Sequence, residues 1–336
     1  WRKHLFEEYQ NAISMMGFSG IHMDTYGFPK TAYSHLDAIP KKIKLEDELP
    51  TLIDETRENV HGEEETYLIF NNVGAWPVQR TADRKQDAVY IEVWPPYDRY
   101  ASIAQLIRDA RTYAKDDKSI ILAAYLKPFR EGKREKALPA ARLLMGSIVS
   151  NGATHLLTGE NQTALTQGYY SDYTKFSDSE AEAIRRYYDY MIRYENLFFD
   201  PELQDVTMTH TGWDNYEYQC TSHKVSSYGE AGKIWMILRE KDYRKCIYLL
   251  NLCGQSEDYW NEGKEEPNIQ KDIKFTVQVD TPVEKICFST PDGKNMDAVE
   301  LLFTERATRT GKFIDFTVPS LNYWTTIWID TRKETI

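Results

Sequence analysis

Two carboxylates stand where apolar stretches of this sequence end. Asp24 closes the segment GFSGIHMD, and Glu92 lies in VYIEVWPP, where Pro95 and Pro96 end a strand at once. Two carboxyl groups about 5–5.5 Å apart can cleave a glycosidic bond with retention, one as nucleophile and one as acid and then base. We therefore interpret Asp24 as a candidate nucleophile and Glu92 as a candidate general acid/base. Taken alone, either residue could also be a turn aspartate or a solvent-facing glutamate.

Polar and aromatic side chains near these carboxylates could bind a sugar. Aromatic rings pack against apolar ligand faces, while amides and carboxylates orient the hydroxyl groups. We predict substrate contacts from His22, Tyr26, Asn71, Asn72, Trp76, Trp94, Gly159 and Glu160. His22 lies two residues before Asp24 and so points to the same side of the strand. It could equally be a core histidine. Trp76 and Trp94 could pack between strands and helices, and residues 159–160 could form a structural turn.

The elements that must position these residues alternate between helix and strand. Helical spacing of apolar residues predicts helices near 1–16, 45–60, 103–114, 137–149 and 178–198. Short apolar runs predict strands near 18–24, 67–70, 89–93, 120–126 and 155–158. Such alternation indicates a parallel sheet. The strands end in polar residues, at Asp24, Asn71, Glu92, Lys127 and Gly159-Glu160.

This alternation predicts the last five units of a (β/α)8 TIM-type barrel, whose active site lies at the carboxyl ends of the strands. Five units cannot close such a barrel. The chain opens at Trp1 inside a predicted helix, without an initiator Met or a signal peptide. We therefore expect an upstream N-terminal part of the same protein to supply the first three units.

From about residue 206 the apolar pattern changes to a period of two. Ile273, Phe275, Val277 and Val279 alternate with polar residues, as in a strand with one wet face. Further strands are predicted at 233–239, 245–252, 284–289, 299–304, 313–318 and 323–330. These strands predict an antiparallel β-sandwich. The predicted domains are therefore the C-terminal part of the barrel at 1–205 and the sandwich at 206–336.

Charge and composition limit the partners of this chain. It has 336 residues and a formal net charge of -11, and an acidic surface repels the phosphates of nucleic acids. A neutral polysaccharide meets no such repulsion. No run of about 18 apolar residues is present, so no membrane span is predicted. Cys220, Cys246, Cys253 and Cys287 lack metal-ligand spacing and are interpreted as buried free thiols or as one disulfide.

Several blocks of the sequence resemble glycoside hydrolase family 66, the dextranases and cycloisomaltooligosaccharide glucanotransferases. GFSGIHMDTYG resembles the nucleophile segment of the family, and YIEVWP resembles its acid/base segment. FNNVGAWP, NGATHLLTGEN and YYDYMIRYENLFFD resemble further family blocks in the same order. The resemblance implies that Asp24 is the nucleophile and Glu92 the acid/base. It also implies a (β/α)8 catalytic domain, a following β-sandwich and an upstream immunoglobulin-like domain. His22-Met23 departs from the glycine-rich sequence that is usual in the nucleophile segment of the family.

The resemblance further implies an enzyme that acts on α-1,6-glucan, meaning dextran and isomalto-oligosaccharides, without a metal or organic cofactor. The cyclising transferases of the family carry a sugar-binding module inserted in the barrel, whereas a predicted helix fills most of residues 127–154 here. We therefore expect retaining, endo-acting hydrolysis of dextran. A cyclising or transferring glucanotransferase and a non-catalytic polysaccharide-binding protein are the alternatives. Because such a glucan is large, the expected location is extracellular or periplasmic.

Overall fold

The computed structural model describes residues 1–25, 27–62, 65–115, 118–168, 174–212 and 215–332. The α-helices are α1 (Arg2–Met16), α2 (Leu45–Asn59), α3 (Val78–Thr81), α4 (Tyr100–Ala114), α5 (Ala137–Ser150), α6 (Asp178–Arg193) and α7 (Glu195–Phe198). Short 3-10 helices occupy Lys127–Phe129, Arg134–Lys136 and Glu160–Gln162.

The β-strands fall into two series along the chain. The first series comprises β1 (Gly20–Met23), β2 (Thr31–Ser34), β3 (Lys41–Lys44), β4 (Tyr67–Val73), β5 (Ala88–Glu92), β6 (Ser119–Ala123), β7 (Thr154–His155), β8 (Thr158–Gly159) and β9 (Thr163–Ala164). The second comprises β10 (Gln204–Asp205), β11 (Tyr218–Cys220), β12 (Val225–Ser226), β13 (Ile234–Lys241), β14 (Arg244–Asn251), β15 (Gln270–Val279), β16 (Val283–Ser289), β17 (Val299–Glu300), β18 (Phe303–Thr308), β19 (Gly311–Leu321) and β20 (Trp324–Thr331).

The chain divides into two compact units, and each unit is made of more than one segment of the sequence. The first unit holds Trp1–Tyr97, Gln105–Ala124 and Ala153–Leu156. The second holds Asp98–Ala104, Tyr125–Gly152 and the chain from Leu157 onward. The predicted domain boundary between residues 205 and 206 stays a prediction.

The first unit is built on a five-stranded sheet in the order β1-β4-β5-β6-β7. Each neighbouring pair is parallel, which confirms the five strands and the parallel sheet predicted from the apolar runs. β1 lies so close to β4 at Gly20 that a Cβ there would stand 2.3 Å from the Tyr67 carbonyl oxygen. Helices cover one face of this sheet, where Met23, Leu68 and Phe70 form a core with Ile53 of α2.

A two-stranded antiparallel hairpin, β2 with β3, lies between β1 and α2 and was not predicted from the sequence. Its strands, TAYS and KKIK, are four residues long, and every residue in them is at least partly exposed. Because the hairpin contributes no buried residue to a core, its sequence lacks the apolar run by which the other strands were recognised.

The second unit contains two sheets around one core, as predicted for the sandwich, and their strand pairs are antiparallel except for the parallel pair of β12 with β13. One sheet has the order β10-β13-β14-β20-β16-β17 with β12 beside β13, and the other has the order β11-β15-β19-β18. Apolar side chains from both sheets, such as Ile247 and Phe275, meet in the core. Helix α5 lies against the sheet that contains β14 and β20. A Cβ at Gly146 would stand 2.7 Å from Leu250 and 3.1 Å from Trp324.

Helix α6 docks onto the 289–297 loop of the sandwich through buried tyrosines. A capping box begins this helix, with Ser177 and Glu180 exchanging hydrogen bonds. The hydroxyl of Tyr187 donates to Asp292, and that of Tyr190 donates to the Ser289 carbonyl oxygen. Tyr187 and Tyr190 are therefore core residues, with 2% and 0% of their surface exposed. We call α6 together with residues 289–297 the helix–sandwich joint.

The four cysteines are free thiols, of which Cys246 and Cys287 are buried and Cys220 and Cys253 are half-buried. Cys246 on β14 and Cys287 on β16 each lie opposite Trp328, so the whole of β20 runs between them. Burial raises the pKa of the Cys246 thiol to about 11, which keeps it protonated at neutral pH. In the part of the chain that the structure describes, no helix is both long enough and apolar enough to cross a membrane.

Candidate functional site

The register of the parallel sheet brings the candidate residues to one face. Asn71 lies opposite Tyr90, and Val73 lies opposite Glu92. His22 lies opposite Ile69, two residues before Asn71 on β4. Because side chains alternate along a strand, His22, Asn71 and Glu92 share a face, and the helices cover the other. Asp24, directly after the end of β1, reaches the same face.

Asn71 joins the two candidate catalytic carboxylates. Its Nδ2 donates to Asp24 Oδ1 at 2.8 Å and to Glu92 Oε2 at 3.3 Å. Carboxylates only accept hydrogen bonds, so the amide nitrogen must be the atom that faces them. The two distances limit the separation of these oxygens to about 6 Å. Asn71 and Glu92 are buried, with 5% and 6% of their surface exposed, whereas Asp24 is exposed.

The amide oxygen of Asn71 is buried and has no hydrogen-bond partner among the residues that the structure describes. A buried acceptor without a donor costs about 1–3 kcal/mol. A substrate contact from this oxygen stays a prediction, because the atom is closed off from solvent.

Asn72 points to the opposite face and is fully buried. Its Nδ2 donates to the carbonyl oxygens of Phe70 and Tyr90 at 3.2 and 2.8 Å, and its Oδ1 accepts from the Thr81 hydroxyl at 2.6 Å. Both ends of this amide are thus used inside the sheet. The structure does not bring Asn72 to the candidate site, because its side chain fastens β4 to β5 and α3.

His22 lies beside the carboxylates, and the centres of its ring and of the Tyr90 ring are 4.6 Å apart in an edge-on arrangement. Loss of water on the packed side of the ring lowers the pKa of His22, while the charges of Asp24 and Glu92 act in the opposite direction. A lowered pKa favours the neutral imidazole at pH 7, which can both donate and accept a hydrogen bond. This geometry is compatible with a hydroxyl-binding role.

The predicted aromatic contacts, Trp76 and Trp94, are both half-buried beside the ends of β4 and β5. The turn that carries Trp76 is tied to β5, since the Gly74 amide donates to the Glu92 carbonyl oxygen at 2.9 Å. Lys30 places its ammonium 3.6 Å from the centre of the Trp76 ring and covers one face of it. A sugar could therefore stack only on the other face. Sequence reasoning missed Lys30, because nothing in the pattern links its loop to Trp76.

Gly159 and Glu160 lie in the second unit, at the start of a tight turn. A Cβ at Gly159 would stand 2.7 Å from Thr163 Oγ1, and the Thr163 hydroxyl donates to the Glu160 carbonyl oxygen. These contacts favour the structural-turn alternative, and a substrate contact from either residue stays a prediction. Tyr26, the remaining predicted contact, lies outside the described residues. Within the described ranges, no group of three or more His, Cys, Asp or Glu side chains could hold a metal ion.

Two carboxylates within about 6 Å of each other near the ends of parallel strands match the arrangement expected of a glycoside hydrolase. Comparison with known families agrees with this class. Residues 1–328 match the family model of glycosyl hydrolase family 66, and the chain therefore belongs to this family.

Two curated relatives are cycloisomaltooligosaccharide glucanotransferases of Niallia circulans. They are 28% and 26% identical to this chain over 193 and 191 residues. Each alignment covers 56% of this chain but only 19% of the relative, so the chain spans a minor part of their length.

Solved structures share the fold at low sequence identity. A cycloisomaltooligosaccharide glucanotransferase from Paenibacillus sp., crystallised with cycloisomaltoheptaose, matches with a TM-score of 0.87 and 16% identity. That match covers 98% of this chain and 65% of the glucanotransferase. A maltogenic α-amylase from Thermotoga neapolitana matches with a TM-score of 0.51, 9% identity and coverage of 98% and 66%. At these identities the likeness concerns the fold alone.

Proposed function

We propose that this chain carries the catalytic residues of a retaining, endo-acting hydrolase of α-1,6-glucan, with Asp24 as nucleophile and Glu92 as general acid/base. The observation that carries the proposal is the hydrogen bonding of Asn71 to both carboxylates. A limit of about 6 Å between the bonded oxygens fits the spacing of about 5–5.5 Å in retaining enzymes better than the 6.5–9.5 Å of inverting enzymes.

The proposed reaction has two displacements at the anomeric carbon. First, an oxygen of Asp24 forms a bond to this carbon while the glycosidic C–O bond breaks, and the leaving oxygen takes the proton of Glu92. Glu92, now a carboxylate, then removes a proton from water. The water oxygen bonds to the anomeric carbon, and the electron pair of the broken ester bond returns to Asp24.

An α-1,6-glucan is the substrate class that family membership and the relatives support. The curated relatives and the solved neighbour are named for cycloisomaltooligosaccharides, and the neighbour was crystallised with cycloisomaltoheptaose. The candidate contacts of this chain suit a neutral sugar, since His22 offers hydrogen bonds and the free face of Trp76 offers an apolar surface. Because dextran is a large polymer, we place the activity outside the cytoplasm.

The connection between β6 and β7 supports hydrolysis rather than cyclisation. Residues 124–153 hold two 3-10 turns and α5 and leave no room for an inserted sugar-binding module. The names of the relatives favour a second candidate, transfer of the glycosyl group to a sugar hydroxyl to give cyclic or longer products. Both candidates use the same residues and differ only in the acceptor.

The fold that would complete this site is a (β/α)8 barrel. Five parallel strands in sequential order, with helices on the face opposite Asp24 and Glu92, support this architecture. Upstream strands of the same protein would close it, and the 206–336 β-sandwich would follow it. The site face of the sheet would then line the interior of the barrel.

The test is digestion of dextran by the complete polypeptide that carries this sequence. An endo-hydrolase should lower the mean mass of dextran early and release linear isomalto-oligosaccharides, with the α-anomer formed first by NMR. Cyclic products would favour the transferase. If no α-glucan is cleaved, the enzyme proposal fails and a polysaccharide-binding protein takes its place.

A further inference from the structure

We infer that Asn71 is a positioning residue whose side-chain amide follows the negative charge of the carboxylate pair from Asp24 to Glu92 during the reaction. The inference rests on the proposed function, because it needs both carboxylates in their proposed roles. It replaces the simpler expectation that Asn71 serves only to bind substrate.

The charge of the pair moves but does not change in amount. Before the first displacement Asp24 is the carboxylate and Glu92 holds the proton that the leaving oxygen will take. After it, Asp24 is a neutral ester and Glu92 is the carboxylate. The second displacement returns the electron pair to Asp24 and a water proton to Glu92. One negative charge therefore alternates between two side chains.

Asn71 is placed to stabilise this charge at both of its locations. Its Nδ2 carries two hydrogens and lies within hydrogen-bond distance of both side chains. The bond to Asp24 is 2.8 Å and that to Glu92 is 3.3 Å. The shorter bond goes to the proposed nucleophile, Asp24. Hydrogen bonds to charged acceptors are about twice as strong as neutral ones. When the charge moves to Glu92, the stronger bond moves with it and no backbone has to shift.

The sheet holds this amide in place. Asn71 is only 5% exposed and lies on β4, between β1 and β5. The next residue, Asn72, donates to the Tyr90 carbonyl oxygen and accepts from the Thr81 hydroxyl, which links β4 to β5 and α3. A donor fixed before the reaction starts needs no reorganisation in the transition state, which is the condition for effective electrostatic stabilisation.

The test compares Asn71→Ala and Asn71→Asp in the complete polypeptide. The substrate is α-isomaltosyl fluoride, whose leaving group needs no proton from Glu92. The pre-steady-state burst reports formation of the glycosyl-enzyme, and the steady rate reports its breakdown. We expect Asn71→Ala to slow both phases by about 10²–10³-fold, the range seen when one fixed donor is removed. KM should change by less than about threefold, since uniform substrate binding is not what is lost.

Asn71→Asp is the isosteric control, because it keeps the shape of the side chain but removes the donor between the carboxylates. We expect it to be less active than Asn71→Ala, since it adds a third acceptor between two others. If the Asp variant were more active than the Ala variant, the loss of activity in Asn71→Ala would be due to the lost shape of the side chain and not to the lost donor, and the inference would be overturned. A loss in one phase alone, or in KM alone, would also overturn the inference. Wild-type protein inactive on every α-glucan would instead overturn the proposed function, and melting curves separate unfolding from all of these outcomes.

Discussion

Asp24 and Asp292 have the same side chain but lie in two different regions. Asp24 lies at the open end of the parallel sheet, and Asp292 lies in the buried helix–sandwich joint. Asp24 is exposed and accepts a hydrogen bond from Asn71. Asp292 accepts from the Tyr187 hydroxyl at 2.5 Å and from the backbone amides of Tyr323 and Trp324, both at 2.9 Å. Burial raises the pKa of Asp292, and these hydrogen bonds act against that rise. The joint uses up the acceptor capacity of its aspartate, whereas the sheet end leaves capacity for a ligand.

The largest expected effect comes from the open region. Asp24→Asn removes the proposed nucleophile, and we expect kcat on dextran to fall by about 10⁴-fold, as when single members of catalytic units are removed. The melting temperature should change little, because Asp24 is exposed and Asn can keep a hydrogen bond with Asn71. Reducing-sugar assays and calorimetry on the purified variant measure both quantities. A variant that keeps a tenth of the wild-type rate would place the nucleophile elsewhere.

The opposite outcome is expected at the joint. Asp292→Ala leaves the Tyr187 hydroxyl and two backbone amides buried without their acceptor, so the free energy of unfolding should fall by about 3–5 kcal/mol. The kcat of the folded fraction should stay at the wild-type value. Urea unfolding followed by fluorescence measures the change.

The matched control for this variant is Asp297→Ala in the same loop. Asp297 pairs with Arg193 on the surface, and both side chains are about half exposed. Exposed ion pairs contribute little to stability, so this variant should unfold like the wild type. If Asp292→Ala and Asp297→Ala lowered the free energy of unfolding equally, the buried carboxylate would contribute no more to the stability of the joint than the exposed one.

A pH-dependent effect of intermediate size is expected from His155 on β7. Its Nε2 donates to the Ala124 carbonyl oxygen at 2.9 Å, and burial lowers its pKa to about 4. An unfolded histidine titrates near 6.5. Between about pH 4 and pH 6.5, this histidine is protonated in the unfolded chain but neutral in the folded chain. Stability should therefore be full above about pH 6.5 and fall by about 3 kcal/mol as the pH drops to about 4.

The variant His155→Gln isolates this contribution, because Gln can donate to Ala124 but does not titrate. The stability of wild type minus that of the variant should decrease by about 3 kcal/mol between pH 7 and pH 4, since all other groups titrate in both proteins. Urea unfolding at pH 7, 5.5 and 4 measures this difference. A difference that does not depend on pH would mean that the folded protein accepts the proton.

Much of the fold could be predicted from the sequence because burial leaves a pattern. β5 is buried along its whole length and forms a nearly continuous apolar run, and β15 follows the period of two of a sandwich strand. The hairpin of β2 and β3 left no such pattern, since it buries no residue. The division into two units was not predictable, because contacts rather than sequence order determine it.

The candidate site was predicted in part. Asp24 and Glu92 were found because each ends an apolar strand, and the structure brings both to Asn71. Asn71 and Asn72 were predicted together as substrate contacts, although neighbouring residues of a strand point to opposite faces. Applying that rule would have separated them. The amide that joins the two carboxylates could not be recognised, because it depends on the register between β1, β4 and β5.

The smallest expected effect also lies in the open region. Lys30 covers one face of Trp76, and cation–π contacts at exposed sites contribute about 0.5–1 kcal/mol. If the other face of Trp76 stacks on the sugar, Lys30→Met should raise KM for dextran by about two- to threefold with kcat unchanged, because the ring is held less firmly. Lys41→Met, an exposed lysine of the β2–β3 hairpin, is the control and should have no effect. Trp76→Ala should raise KM more than Lys30→Met does. A Trp76→Ala enzyme with wild-type KM would instead assign this ring to packing, and the open region would then bind sugar through its polar groups.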